Sequence, residues 1–476
     1  MTGGPPRPDA VPAPPRPPES RPAWAGWTDR PVSAASLAAF RVAFGLVMAW
    51  EAWRYLSYGW VRAYYVETAF TFSYWGFGWV RPLPEPYLSA AFVAVGACGV
   101  FVALGWAYRW AAGLLALGTA YVFLLEQAHY LNHFYLLVLL AGLLAVLPAA
   151  RAYSLDAAAR RRRGGAAAPT VPAWTVWLLR FQVGAVYAFA AVAKVNPDWL
   201  AGEPIGTWVA GDFDGTPLAA VAAWSGFGRA IAWGGLALDL LAVPALLWRP
   251  TRVPMTVALV TFHLMNAWMF TIGVFPWLMI LALGLFYPPD WPVRLADRVR
   301  RRAGRRPTRA TSGTAPPGLP RWGAVALAAY VAVQVALPLR HWLYPGDVAW
   351  TEEGHRYAWR MKLRDKDATH VEFRVVDAAG ASWAVDPRAV LSARQARKMS
   401  TRPDMILQFA HRLADWGGAA GVGPVRVYAT VEASLNGRPA RPLVDPAVDL
   451  AAEPRSWRPK RWVLPLDGPL PTAARR

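Results

Sequence analysis

The feature that most constrains this chain is a series of nine apolar stretches, at 35–53, 88–106, 108–126, 131–150, 171–193, 228–248, 253–270, 271–288 and 320–340. A helix rises about 1.5 Å per residue, so about 20 apolar residues carry it through a hydrocarbon core about 30 Å thick. With 55% of 476 residues hydrophobic and 17% charged, the chain has too much apolar surface for water alone. The pattern predicts a membrane all-α bundle of about nine transmembrane helices in a lipid bilayer. Arg41 and Glu51 interrupt the first stretch, and 253–288 is nearly unbroken.

A net charge of +20 would suit a nucleic-acid partner if the cations shared one soluble face. Many lie instead in two runs between spans, Arg160 to Arg163 and Arg294 to Arg309, so no nucleic-acid partner is expected. Basic loops stay cytoplasmic, and with Arg249 and Arg252 these runs mark the inner side. Counting spans from them predicts a multi-pass plasma-membrane protein with its N-terminus cytoplasmic and its C-terminal domain extracytoplasmic.

Residues 1–33, rich in Pro and Arg, read as a disordered cytoplasmic tail, 34–344 as the membrane domain, 345–455 as an extracytoplasmic α+β domain rich in β, and 456–476 as a basic tail. Alternation at Val371, Phe373 and Val375, then Trp383 and Val385, predicts a hairpin. Residues 389–415 read as helix with a break at Pro403, and Asn436-Gly437 as a hairpin turn after the alternating 425–435. The loop 54–87, dense in aromatics, fits either an interfacial belt or a lid over a membrane site. Cys98 is the only cysteine, which excludes an internal disulfide.

Ionisable groups inside spans are costly and mark functional positions by default. Four clusters stand out. Asn132 and His133 in LNHFYLL open the fourth span, with Glu126 and His129 just before it; Lys194 ends VGAVYAFAAVAK; His263 and Asn266 lie in FHLMNAWMF; His341 follows PLR after the ninth span. Each has a plainer reading, since a helix-end lysine snorkels to headgroups and a lone His or Asn bonds a neighbouring helix. With the arginines fixing topology, however, all four approach one outer layer. Tyr187, seven residues before Lys194, shares its helix face, and Pro197 ends the helix at Asn196. An amine there, in apolar surroundings, loses the hydration that stabilises its charged form and can serve as a base near neutral pH. No zinc spacing, P-loop, dinucleotide glycine pattern or serine elbow accompanies it, and no metal is expected.

These segments resemble, in order, those of the vitamin K-dependent γ-glutamyl carboxylases and their bacterial HTTM-domain relatives. AKVNPDWLAGEPI is similar to the family's lysine motif, a Lys followed by a polar step, Asp-Trp and a Gly. LNHFYLL and FHLMNAWMFTIGVFP resemble its Asn-His and His-Leu motifs, and QVALPLRHWLYPG followed by YAWRMKL the passage into the lumenal domain. RPDMILQFAHRL and SLNGRPARPLVDPAVDL are similar to stretches of that domain, so the likeness runs from about 35 to 451.

The resemblance implies a carboxylase that uses vitamin K hydroquinone or menaquinol, with O₂ and CO₂ as co-substrates and a Glu-containing peptide or protein as acceptor. Epoxidation of the quinone would generate the base that removes a Glu γ-proton, and CO₂ would add to the carbanion. Lys194 would deprotonate the hydroquinone. Asn132 and His133 would hold the Glu carboxylate or tune the hydroquinone, with His263 and Asn266 as second candidates and His341, Tyr187 and Trp199 completing the substrate-binding set. The animal enzymes carry a disulfide between membrane and lumenal parts that one cysteine cannot form, and a His where this chain has Arg364. Two other readings stay open: a quinone epoxidase or oxidoreductase without peptide carboxylation, and a non-enzymatic membrane component or transporter, for which inverted repeats would be the sign.

Overall fold

Each of the nine apolar stretches carries helix. The computed structural model describes residues 23–217, 219–270, 272–306, 318–468 and 470. A short α1 (Ala23–Thr28) and β1 (Pro31–Ser33) precede α2 (Ala35–Ser57), α3 (Tyr87–Leu104), α4 (Tyr108–Leu125) and α5 (Asn132–Val146). Then come α6 (Leu155–Arg162), β2 (Thr170–Pro172), α7 (Ala173–Lys194), α8 (Pro197–Ala201), α9 (Ile205–Phe213) and α10 (Ala219–Ala222). The membrane region closes with α11 (Phe227–Leu247), α12 (Arg252–Met269), α13 (Phe275–Ala282), α14 (Trp291–Arg302) and α15 (Arg321–Leu339).

Six helices among the described residues are long and apolar enough to cross a membrane: α2, α3, α4, α7, α11 and Arg321–Leu343, which extends α15 by a 3₁₀ turn. Three of the nine expected spans fall short of that standard, for separate reasons. The helix α5 stops after 15 residues, just ahead of Pro148. Arg252, His263 and Asn266 dilute α12. The stretch 271–288 shrinks to Phe275–Phe286 because Gly273 takes φ +60 and Pro276 restarts the helix.

Residues 23–33 also depart from the disordered tail that composition suggests. Strand β1 pairs antiparallel with β2, Val32 opposite Val171, and the Trp27 ring lies 5.3 Å from that of Trp177. Residues 1–22 lie outside the described residues.

Helices α2 and α3 touch backbone to backbone. A Cβ on Gly45 would lie 2.4 Å from the Gly99 carbonyl oxygen, and one on Gly99 2.8 Å from that of Gly45, the close approach that small residues permit between membrane helices. Arg41, buried in the first span, has a role in the same pair. Its Nη1 donates to the carbonyls of Val102 and Ala103 at 2.6 and 2.8 Å, which saturates the free end of α3.

After α16 (Val348–Thr351) comes an antiparallel sheet of β3 (Lys366–Val376), β4 (Ser382–Val385), β5 (Arg426–Leu435) and β6 (Arg441–Pro442), in the order β4-β3-β5-β6. Helices α17 (Ala393–Met399) and α18 (Pro403–Ala419) lie between β4 and β5 in sequence, with Pro403 at the first turn of α18. Phe373, Val375, Val427, Ala429 and Val431 form one apolar face against Ile406 and Phe409. Packing continues past residue 455: Trp462 is buried and Val463 bridges to Val444.

The aromatic loop between α2 and α3 seats this domain. Phe72 is wholly buried among the domain's core residues, its N–H reaches Glu126, and Gln395 donates to the Phe70 carbonyl at 2.7 Å. Ser73 N–H donates to Gln408 at 2.9 Å. At these positions the loop serves as a docking surface for the C-terminal domain.

Candidate functional site

Lys194 is the last residue of α7. Asn196 closes the turn beyond it, donating from Nδ2 to Ala193 O at 2.9 Å and accepting the Trp199 N–H at 2.9 Å, so α8 starts at a fixed angle. The lysine side chain is thereby turned inward and is only 7% exposed. Its Nζ lies 2.5 Å from Oδ2 of Asp239 on α11, itself 4% exposed.

That partner corrects the picture of a bare amine in apolar surroundings. A charge away from water costs several kcal/mol unless an opposite charge meets it, and Asp239 meets this one. Asp239 was not among the residues that motif and cluster reasoning singled out. The signal was present, as a carboxylate within the apolar run GGLALDLLAV. Proton transfer within the pair changes no net charge, so it can pass between an ion pair and a neutral pair that exposes an amine lone pair. Trp199 covers the pair: its ring centroid lies 5.3 Å from Lys194 Nζ, and its indole N–H donates to Ala232 O at 2.8 Å.

One helical face connects this pair to the histidines. The Tyr187 hydroxyl is 2.8 Å from His263 Nε2, and both residues are buried. His263 Nδ1 is buried and finds no hydrogen-bond partner, a vacancy uncommon enough in folded proteins to call for an explanation. Phe275 stands between the histidines, its ring 5.9 Å from those of both His263 and His133. Gly273 keeps the space beside His133 open, since a Cβ there would lie 3.3 Å from Arg54 Nη1 and 3.9 Å from His133 Nε2. Arg54 is in turn paired with Glu51 at 2.7 Å.

No hydrogen bond joins Lys194 to His133; the track between them runs through Tyr187, His263 and Phe275. Three other sequence candidates direct their polar atoms elsewhere. Asn132 donates to Arg360 O at 3.1 Å and accepts from Tyr130 at 2.9 Å, tying α5 to the start of the C-terminal domain. Asn266 donates to Phe262 O in its own helix, and His341 Nδ1 lies 2.9 Å from Pro338 O. Both fit the plainer reading, in which a polar side chain satisfies the nearest free backbone group.

A cavity opens between α2, α3, α4 and α5. Met48, Ala52, Phe92 and Val95 give it apolar walls, and Glu51, Glu126 and His129 are among its polar members. Neither Lys194 nor His133 lines it, although Phe134 and Glu51 do.

The C-terminal domain reaches the lysine segment directly. Asp198 accepts from Arg438 Nη1 and Nη2 at 2.7 and 2.8 Å and from Asn436 Nδ2 at 2.7 Å. Elsewhere in that domain Arg364 contacts the carboxylate of Glu352, with His355 Nδ1 at 3.7 Å and Arg402 Nε at 4.0 Å. Burial pushes the Glu352 carboxyl up, but Arg364, His355, Arg402 and Lys366 together hold it well below the usual carboxylate range. Burial also lowers the Lys366 amine to about 7.

A helical region with a buried lysine–carboxylate pair is thus joined to a sheet domain that grips the lysine segment. The HTTM domain model matches residues 29–291, and the model of the vitamin K-dependent gamma-carboxylase lumenal domain matches residues 320–468. The chain belongs to this family of HTTM-domain, vitamin K-dependent gamma-carboxylase proteins. No solved structure matches it.

Proposed function

We propose that the protein is a quinone-dependent carboxylase, working from a lipid bilayer with reduced vitamin K or menaquinol, O₂ and CO₂, on a Glu-containing peptide or protein. Family membership supports the reaction class. The buried Lys194–Asp239 pair is the single observation that carries the assignment of the base. The reduced quinone, oxidised by O₂ to its epoxide, supplies the basicity that removes a Glu γ-proton, after which CO₂ adds to that carbon.

The protein's own part is to hold and move protons in a dry place. Lys194 accepts the hydroquinone proton while Asp239 balances its charge, and Trp199 keeps water from the amine. One feature of the structure fits a quinone: the unpartnered His263 Nδ1, which can meet a ring oxygen. His133, reached from the same track, is the group that can meet a carboxylate, since Arg54 beside it is already paired with Glu51. The distribution of arginines supports an extracytoplasmic C-terminal domain, from which the peptide would approach.

A second reading keeps the epoxidation and drops the carboxylation. The pairing of Arg364 with Glu352 favours it, because that cation already holds a carboxylate of the chain itself. Purified protein with reduced menaquinone or vitamin K, O₂, labelled bicarbonate and a Glu-rich peptide separates the two. Label in the peptide that is lost in K194A supports carboxylation; quinone epoxide with an unlabelled peptide supports the second reading. No turnover with either quinone would overturn both.

A further inference from the structure

The C-terminal domain does more than cover the membrane site. Asp198 lies four residues beyond Lys194, in the short α8 that Asn196 caps, and its carboxylate is gripped by both Arg438 nitrogens and by Asn436. Only about 10% of either the Arg438 or the Asp198 side chain is exposed. A two-pronged guanidinium–carboxylate contact fixes orientation as well as distance.

Both gripping residues sit on one rigid turn. Asn436 and Gly437 have φ of +51 and +76, and the Arg438 N–H donates back to Leu435 O at 3.1 Å, closing the tight turn that ends β5. Asn436 is also bonded through its side-chain oxygen and its N–H to the backbone of Asp365, just before β3. Two residues upstream of Asp365, Leu363 is buried with Ala193, Trp199, Ile205, Val209 and Ala232. The turn, the segment leading into β3 and α8 therefore form one unit around the end of α7.

The next residue after Asp198 is Trp199, whose ring covers the Lys194 amine and whose indole is anchored to α11, the helix that carries Asp239. We infer that Arg438 and Asn436 are positioning residues for Lys194: by holding Asp198 they set Trp199 over the lysine–aspartate pair, so docking of the sheet domain determines how closed and how reactive that amine is. The inference rests on Lys194 being the functional amine, and it names the domain's turn as the regulator of that site. A domain displaced by a peptide would loosen the cover, and a seated domain would restore it.

The test reads the amine itself, without quinone. Full-length protein in detergent is treated briefly with acetic anhydride between pH 6 and 10, and Lys194 acetylation is quantified by peptide mass spectrometry, with half-buried Lys398 of α17 as an internal reference. In D198N and R438Q the Lys194 rate should rise about tenfold, the shift expected on losing one charge-assisted hydrogen bond, while Lys398 stays at its wild-type rate. R438K, which keeps the charge and loses the fork, should fall between wild type and R438Q. R441Q alters an exposed arginine of β6 and should match wild type. Lys194 rates in D198N and R438Q equal to those in R441Q would overturn the inference; if R438Q does not fold, D198N, of the same shape as the native side chain, decides alone. Because no quinone is present, a wild type inactive as a carboxylase would count against the proposed reaction and leave this result standing.

Discussion

Lys194 and Asp239 each make the other tolerable where water does not reach. Removing one partner leaves a buried charge unpaired, which costs about 3–5 kcal/mol. K194M and D239N should therefore each lower the unfolding temperature in detergent by several degrees, and the K194M/D239N double variant should recover most of the loss without recovering activity. Glu352 belongs to a similar group: E352Q strips the counter-charge from Arg364, Arg402 and Lys366 and should destabilise by a comparable amount, measured the same way. For Asp198, burial pushes the carboxyl up, but hydrogen bonds from Arg438 and Asn436 and the charge of Arg438 outweigh this and leave it below its ordinary value. A depressed folded-state value means that this contribution is complete above the unfolded carboxylate value of about 4 and fades as pH falls through the folded one. Wild type should thus lose stability on acidification below about pH 4 more steeply than R438Q. At this scale Lys194, Tyr187 and His263 were legible as polar residues in apolar sequence. Asp239 was not, because a lone carboxylate in a span gains its meaning only when folding supplies the amine. His341 and Asn266 differ in that a neighbouring carbonyl partners one nitrogen of each.

Among the elements, the contact of α2 with α3 has no slack. A side chain on Gly45 or Gly99 meets backbone, so G99V should cost at least the 1–3 kcal/mol typical of overpacking and lower the yield of folded protein on gel filtration. The cavity beside this pair offers a different prediction. V95W fills it from α3, and if the apolar part of the quinone lodges there the quinone KM rises by about tenfold or more with a smaller change in kcat. Helix positions followed from apolar runs because burial in lipid or protein needs little more than that pattern. The break inside 271–288 did not, since it depends on Gly273 adopting a left-handed backbone that flanking residues do not announce. The Asn436-Gly437 turn was legible, whereas its purpose, to present Arg438 to Asp198, depended on tertiary placement.

For the whole molecule, membrane region and sheet domain are joined at several places, among them the aromatic loop with Phe72, the Asn132–Arg360 bond and the turn with Arg438. The ordered series of motifs was legible because its segments supply Lys194, Asp198, Asn436 and Arg438, although Asp239 and Phe72 lie outside them. The orientation proposed from the basic loops has a direct test: with Cys98 replaced by Ser, a single cysteine at exposed Gly380 should react with an impermeant maleimide on intact cells, while one at exposed Arg301 should require permeabilisation. The central claim, that Lys194 paired with Asp239 is the base of a quinone-oxidising site, is tested most directly by quinone epoxide formation. Wild type and K194M/D239N, matched in unfolding temperature, are given reduced menaquinone or vitamin K and O₂, and the quinone fraction is analysed by mass spectrometry. We predict epoxide from wild type and none above background from the double variant; epoxide at equal rates from both, or from neither, would contradict the account.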